Sequence, residues 1–365
     1  MVVAELDKSI LKNFIKNDVP VYIIKRLFNY LHWMKIVSYI DKLPGRYLRK
    51  IVNYLLTSIF ILANSIYFLS LTVVVLRERI DLIHVNNGMN NFAPILVALL
   101  LKRKFVVHFH GIENPGRLHR MIIDKVPKFI MISDYLKDIM VSNNVPEDQM
   151  VVLHNPTKPK QVQADKIGSI YHEYKIEKDE LLFGIIGRII RWKGHVEFLK
   201  SASLVLEAVP QSKAVIIGDM SDGNLAYEQE IRKIVDDSGL KERIIFTGYI
   251  PDVSPFYKIL DVCVHCSIEP EPFGLVITEA MSHGVAVVAS NLGAPQEIIT
   301  DGQNGYIIDP TATDKLAKTI IDLLSDKELR ERIGTNGKKL VESKYQLATY
   351  GRDMGKLYME VLGEL

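Results

Sequence analysis

The stretch from Asp261 to Glu297, DVCVHCSIEPEPFGLVITEAMSHGVAVVASNLGAPQE, limits what this chain can fold into more than any other part of it. A short apolar run, Val262 to Val264, reads as a strand and leads into a loop stiffened by Pro270 and Pro272. The pattern then predicts a helix that starts near Phe273 and Gly274 and stops at Gly284, followed by a second apolar strand from Val285 to Ala289. Strand, helix and strand at this spacing make a parallel crossover unit. The loop therefore lies at the carboxyl edge of a sheet, where α/β proteins bind ligands. Two carboxylates mark that edge: Glu271 before the helix and Glu279 two turns inside it.

That arrangement suits a nucleotide sugar. The amides of Phe273, Gly274 and Leu275 open a helix and have no intrahelical acceptors, so they are free to receive phosphate oxygens in the field of the helix dipole. Glu279 is placed to accept two hydrogen bonds from a ribose diol, and Glu271 to accept from sugar hydroxyls. The flanking prolines hold the Glu271 backbone extended. Two glutamates by themselves read as a solvated helix residue and a loop charge; the residues around this pair are what give it weight.

The run EPFGLVITEAMSHGVAVVAS resembles the signature of the retaining glycosyltransferases of GT-B fold, the glycosyl transferases group 1 family. Its mark is Glu, seven residues and a second Glu, with Phe-Gly-Leu inside. The resemblance extends from the first residues to about Tyr345. It implies an α/β protein of two Rossmann-like domains facing across a cleft, with Glu271 on the donor sugar and Glu279 on the ribose. Phe273, Gly274 and Leu275 would make main-chain contacts to phosphate or sugar.

A second motif follows the apolar strand Leu181 to Ile186: GRIIRWKGH, from Gly187 to His195. Gly187 permits a tight turn, and Gly194 opens the next helix. Arg188 and Lys193 are two cations at the same sheet edge as Glu279, suited to neutralising a diphosphate. Single loop cations are ordinarily just solvated, but the spacing G-R-x4-K-G resembles the family's diphosphate clamp. Arg191, between them, inherits no role. Further strand-then-loop units end at Gly218–Asp219 and Thr247–Gly248–Tyr249, where the family holds the base, and Asn291 to Ala294 forms another loop at this edge.

Toward the N-terminus, Asp81 to Val85 and Phe105 to Phe109 read as strands, the second ending at His110–Gly111. A histidine in that position is more often structural than functional. The family has one there that contacts the donor sugar, and His110 matches it better than His108. Ser133–Asp134 reads as a helix cap. Thr157 to Asp179 reads as a linker with a short helix, and the tail from Leu347 as a helix that in the family returns to the first domain. The expected organisation is an acceptor-binding domain over 1–155, a linker over 156–178, a nucleotide-sugar domain over 179–345 and a returning helix over 346–365.

The start of the chain is unusual for such a domain. Val3, Leu6, Ile10 and Phe14 recur at helical spacing, so the chain opens on a helix, with a strand from Val19 to Ile24. Family members open on a strand and a glycine-rich loop, and both are expected to be missing here. Residues Ile51 to Leu76 are uncharged over 26 positions, which by length reaches a bilayer span. Polar interruptions such as Asn53, Asn64 and Ser70 favour buried or membrane-surface helices, with shallow insertion or a span as the alternative.

At 365 residues and 48% apolar content the chain has enough material for two cores. Its net charge of +2 hides a split: 20 Lys and Arg against 12 Asp and Glu through Asn155, and 25 against 31 after it. A basic first half points to an anionic surface such as a membrane or a lipid phosphate and not to nucleic acid. Cys263 and Cys266 have no second pair to complete a zinc site and read as structural, which fits a reducing cytoplasm. The charged first 20 residues do not form a cleavable signal peptide. No Asp-x-Asp occurs, so no metal and no cofactor is expected beyond the nucleotide-diphosphate sugar itself.

The resulting expectation is a retaining, metal-independent transferase, cytoplasmic and peripheral on the inner membrane face. It would act on a glycan or lipid-linked acceptor in cell-surface polysaccharide or glycoconjugate assembly. A non-catalytic GT-B partner that binds nucleotide sugar is the alternative, with a phosphorylase-like or epimerase-like use of the fold behind it.

Overall fold

The computed structural model describes residues 2–4, 21–23, 44–220 and 225–364; the side chains at 57–64 and at a few single positions are likewise outside the description. Contacts divide the chain into two units. The first takes residues up to Ile130 with Val145–Val151 and Leu357–Leu365, and the second takes Met131–Asn144 and Val152–Lys356.

In the first unit, β1 (Val2–Ala4) pairs in parallel with β2 (Val21–Ile23). Val3 is thus in a strand and not in the expected opening helix. Adjacent valines prefer extended backbone, and the pairing with β2 overrides the 3.6-residue spacing. The rest of that helix, Leu6 to Phe14, and the question of a missing opening strand and glycine-rich loop fall largely on residues outside the description. A long helix α1 (Arg46–Arg77) precedes β3 (Leu82–Asn86), α2 (Phe92–Leu100), β4 (Lys104–Phe109) and the short α3 (Arg117–Arg120). Strand β5 (Lys128–Met131), helix α4 (Asp134–Ser142) and β6 (Met150–Val152) follow, and the four strands run in the order β3-β4-β5-β6. The uncharged stretch is therefore one continuous helix, and no helix among the described residues is long and apolar enough to cross a membrane. One stripe of α1 is committed to protein: Leu71 and Val75 pack with Val97 of α2.

The second unit takes α4 and then, after Val152, begins with α5 (Ala164–Glu173), inside the stretch read as linker. Its strands are β7 (Leu181–Ile186), β8 (Ser212–Ile217), β9 (Ile244–Gly248), β10 (Val262–His265), β11 (Ala286–Ser290) and β12 (Tyr306–Ile308). They are all parallel and lie in the order β12-β11-β10-β7-β8-β9. This is the doubly wound order, and its reversal falls between β7 and β10, the position at which doubly wound sheets form a ligand crevice.

The interleaved helices are α6 (His195–Ala208), α7 (Leu225–Ser238), α8 (Ser254–Tyr257), α9 (Leu275–Ser282), α10 (Pro295–Ile298), α11 (Thr313–Ser325), α12 (Lys327–Lys344) and α13 (Leu347–Leu362). The strands are apolar on both faces because helices cover both: Phe183, Ile216, Val264 and Val288 meet Phe198, Leu199, Ile231 and Ile320 in one core. The last turns of α13 belong to the first unit, where Tyr358 reaches His84 and Glu360 pairs with Lys128 at 3.2 Å.

Helix α12 fixes the far end of α9 by close backbone approach. A Cβ on Gly334 would lie 2.0 Å from the carbonyl oxygen of Gly284, just after α9. Helix propensity alone favours Gly334→Ala by about 1 kcal/mol, whereas forcing atoms into a filled interface costs about 1–3 kcal/mol. The contact is with backbone, which cannot swing aside, so packing should win. Gly334→Ala is expected to lower the stability of the second unit in denaturant titration; a gain would show that α12 shifts freely.

Candidate functional site

The crevice at the switch point is built from the loops after β7 and β10. Gly187 leaves β7 with φ of 154°, and a short turn at Arg191–Lys193 leads to Gly194. Gly194 has φ of 72°, and a Cβ there would lie 1.8 Å from the carbonyl oxygen of Cys266. Only glycine allows the two loops to meet this closely. The N–H of Ile268 donates to the carbonyl of Trp192 at 2.8 Å and ties them together.

This approach brings Lys193 onto Glu271, with Nζ to Oε2 at 2.6 Å. The same oxygen lies 3.1 Å from Nε2 of His265 and 3.2 Å from Oγ of Ser267. The Glu271 side chain is only 11% exposed. Burial by itself raises its pKa, but the hydrogen bond and charge of His265, followed by Lys193, outweigh burial and bring it down to about 2. The backbone of Glu271 is held as firmly as its side chain. Its N–H donates to Leu292 and its carbonyl accepts from Ala294, and a Cβ on Gly293 would lie 2.5 Å from that carbonyl oxygen. The loop from Asn291 to Ala294 therefore clamps the carboxylate in place, in addition to the neighbouring prolines.

Gly274, at φ of 93°, precedes α9 in the left-handed conformation, so the helix begins at Leu275, slightly later than its sequence suggests. Phe273 is buried, its ring near His154 and Tyr345. About one turn along α9, Glu279 accepts a hydrogen bond from the Tyr257 hydroxyl at 3.1 Å. Burial raises the Glu279 pKa against the pull of Tyr257. A carboxylate accepts about four hydrogen bonds, so capacity remains for a diol.

The remaining sequence candidates are distributed differently. Arg188 is exposed, and no carboxylate among the described residues pairs with it. Arg191 is occupied by Glu230 at 2.6 Å and lies over the Tyr227 ring, in keeping with its having no assigned role. His110 belongs to the first unit, at the end of β4. Its Nε2–H donates to Oδ1 of Asn86 at 2.6 Å, and its ring lies 4.1 Å from that of His108. His108 in turn meets His84 at 3.2 Å, and His84 meets the Tyr358 hydroxyl at 2.6 Å. Burial, followed by the charge of His110, lowers the pKa of His84 to about 4 and that of His108 to about 3, so these rings are neutral supports. Cys263 and Cys266 are buried free thiols, the former pushed up to about 12 by burial and then by Glu279. A buried thiol with a raised pKa is a poor nucleophile or ligand.

Asp134, His154 and Glu297 each bring a ligand atom within 4.8 Å of the others, a spacing compatible with a metal ion. Glu297, however, accepts the backbone N–H groups of Asp134 and Tyr135 at the start of α4. That is a helix cap, which accounts for the position of Glu297 by its bonds to the start of α4.

Sequence reasoning missed His265, Ser267 and Tyr257. His265 carried a signal: it is the last residue of β10, the same strand-end position that singled out His110.

Two family descriptions match the chain: "Glycosyltransferase Family 4" over residues 39–161 and "Glycosyl transferases group 1" over residues 169–340. The chain belongs to the group 1 glycosyltransferases. It is 28% identical over 315 residues to the glycosyltransferase MJ1607 of Methanocaldococcus jannaschii, an alignment covering 78% of this chain and 77% of that protein. It is 27% identical over 255 residues to the capsular polysaccharide biosynthesis glycosyltransferase CapM of Staphylococcus aureus, covering 67% and 65%. Among solved structures, HepE of Anabaena in complex with UDP-glucose superposes with a TM-score of 0.77 at 19% identity, covering 98% of this chain and 91% of that one. The fold is of the GT-B type.

The Glu271 charge has a pH signature. Its pKa is depressed in the folded state, from 4.5 to about 2, so its stabilising contribution is complete above about 4.5 and disappears as the pH falls toward 2. The stability difference between wild type and Glu271→Gln should be on the order of 3 kcal/mol at neutral pH and should shrink across that window. Denaturant unfolding at a series of pH values measures it; a constant gap would mean that Glu271 is not held ionised by its neighbours.

Proposed function

We propose that this chain transfers a sugar, with retention of configuration and without a metal, from a nucleotide-diphosphate sugar to a glycan or lipid-linked acceptor in cell-surface polysaccharide or glycoconjugate assembly. The observation that carries the reading is the buried, ionised Glu271 held beside Lys193 at the switch point, next to the start of α9. The polysaccharide context is suggested by the capsular relative, and the donor class by the nucleotide-sugar complex of the structural neighbour.

In this reading the diphosphate lies against Lys193, Arg188 and the main chain at Gly187, Phe273, Gly274 and Leu275, where fixed cations and helix amides stabilise charge as it develops on the leaving group. Glu271 accepts hydrogen bonds from the sugar hydroxyls. Glu279, steadied by Tyr257, accepts from the ribose. His110 is assigned a hydrogen bond to the sugar through the family resemblance. The bond from the anomeric carbon to the phosphate oxygen breaks as the acceptor oxygen attacks from the same face, and the departing phosphate oxygen takes the acceptor's proton.

A thermal-shift panel of nucleotide sugars, followed by transfer from a radiolabelled donor, tests the reading, because a ligand that binds the native state raises its apparent stability. Absence of any shift across uridine, guanosine and adenosine diphosphate sugars would sink it. Glu279→Gln retains an acceptor for Tyr257 but loses the charge. It should weaken donor binding roughly tenfold to a hundredfold in calorimetry with little change in stability. Arg188→Ala removes only an exposed cation, so it should lower turnover by roughly tenfold or more while leaving the thermal transition in place. Wild-type activity should persist in a chelator. Activity lost to the chelator and restored by magnesium would overturn the metal-independent part.

A further inference from the structure

Helix α1 is apolar on two sides. Its inner stripe, with Leu71 and Val75, is buried in the first unit. A second stripe of Ile51, Leu55, Ile66, Leu69, Val73 and Leu76 lies open, each side chain between 52% and 61% exposed. At roughly 100° per residue these six positions fall within about a quarter of the helix circumference. Ile66, Leu69, Val73 and Leu76 form a row of about three turns, and Ile51 and Leu55 lie on the same line nearer the start of the 32-residue helix. Isolated exposed apolar residues are ordinary, but a row of neighbours such as Ile66 to Leu76 marks a binding surface.

We infer that this stripe lies flat in the headgroup region of an anionic bilayer and attaches the first unit to it, independently of the transfer reaction proposed above. The charges select this occupant. Between Arg46 and Arg79 there are five basic residues and one acidic residue, and all of them flank the uncharged stretch: Arg46, Arg49 and Lys50 before it, Arg77, Glu78 and Arg79 after it. Arg77 pairs with Glu78 but remains 73% exposed. Cations at both ends of an apolar row, with exposed Tyr47 beside the first cluster, are the pattern of an interfacial helix on acidic lipid. A second copy docking on the stripe in antiparallel fashion would press basic ends together. Spanning is disfavoured, since a helix that left the core for lipid would uncover Val97 and its apolar neighbours Ile83 and Leu101 to water.

Sedimentation of the full chain with phosphatidylcholine vesicles, with and without phosphatidylglycerol, tests the inference. Binding is expected only with phosphatidylglycerol and should weaken with salt. Leu69→Gln combined with Val73→Gln should reduce the partition coefficient roughly tenfold or more while leaving the thermal transition unchanged. If that variant unfolds, Leu69→Trp supplies an independent reading: its emission should shift to the blue on phosphatidylglycerol vesicles. Four results would overturn the inference: no binding by the wild type at low salt, unchanged binding by the double variant, unshifted tryptophan emission, or a dimer in sedimentation velocity that the double variant dissolves.

Discussion

The second unit is arranged around one electrostatic constraint: a carboxylate kept charged in a place that water scarcely reaches. An unpaired ion in such a position costs several kcal/mol. Glu271 therefore requires the Lys193 ammonium and the His265 ring, and these come from the two strands on either side of the switch point. The glycines follow from that requirement. Gly194 lets the Lys193 loop touch the carbonyl of Cys266, and Gly293 lets the loop after β11 clasp the Glu271 backbone. A side chain at either position would separate the cation from the carboxylate or release the clamp.

Rigidity passes outward from there. Helix α9 begins immediately after the clamp, in a left-handed glycine, and its far end is pinned by the close approach of Gly334 to Gly284. Glu279 thus projects from a helix fixed at both ends, and Tyr257, in α8, sets its carboxylate. Preorganisation of this kind gives hydrogen bonds to a ligand without the entropy of ordering the side chains first. In the first unit, a chain of contacts from Tyr358 through His84 and His108 to His110 and Asn86 does the same for one imidazole. That chain depends on the last helix of the sequence, far from the histidines in the primary structure.

Helix α1 carries a different lesson about apolar sequence. A stretch of 26 uncharged residues has the length of a membrane span, yet it divides into an inner stripe packed on α2 and β3 and an outer stripe left open. Hydropathy averaged over the stretch does not distinguish these, because both stripes contribute equally. Only the packing partner does.

The sequence by itself determined the doubly wound unit, the glycosyltransferase family and the placement of Glu271, Glu279, Arg188 and Lys193 near one sheet edge. Strand-end loops, helix caps and glycine spacing are local properties, and local chemistry enforces them. The tertiary structure alone decided which groups meet. Lys193 and Glu271 are 78 positions apart, and nothing in their spacing distinguishes an ion pair from two ligand contacts. His265 and Ser267 lie six and four positions before Glu271, and they meet it only through the way their shared loop folds back. Tyr257 was not legible as the partner of Glu279 because a side chain's neighbours across a crossover depend on strand order, which periodicity does not encode. The strand at Val2–Ala4 was misread as the start of a helix for the same reason: over three residues, pairing with a distant segment outweighs the local pattern.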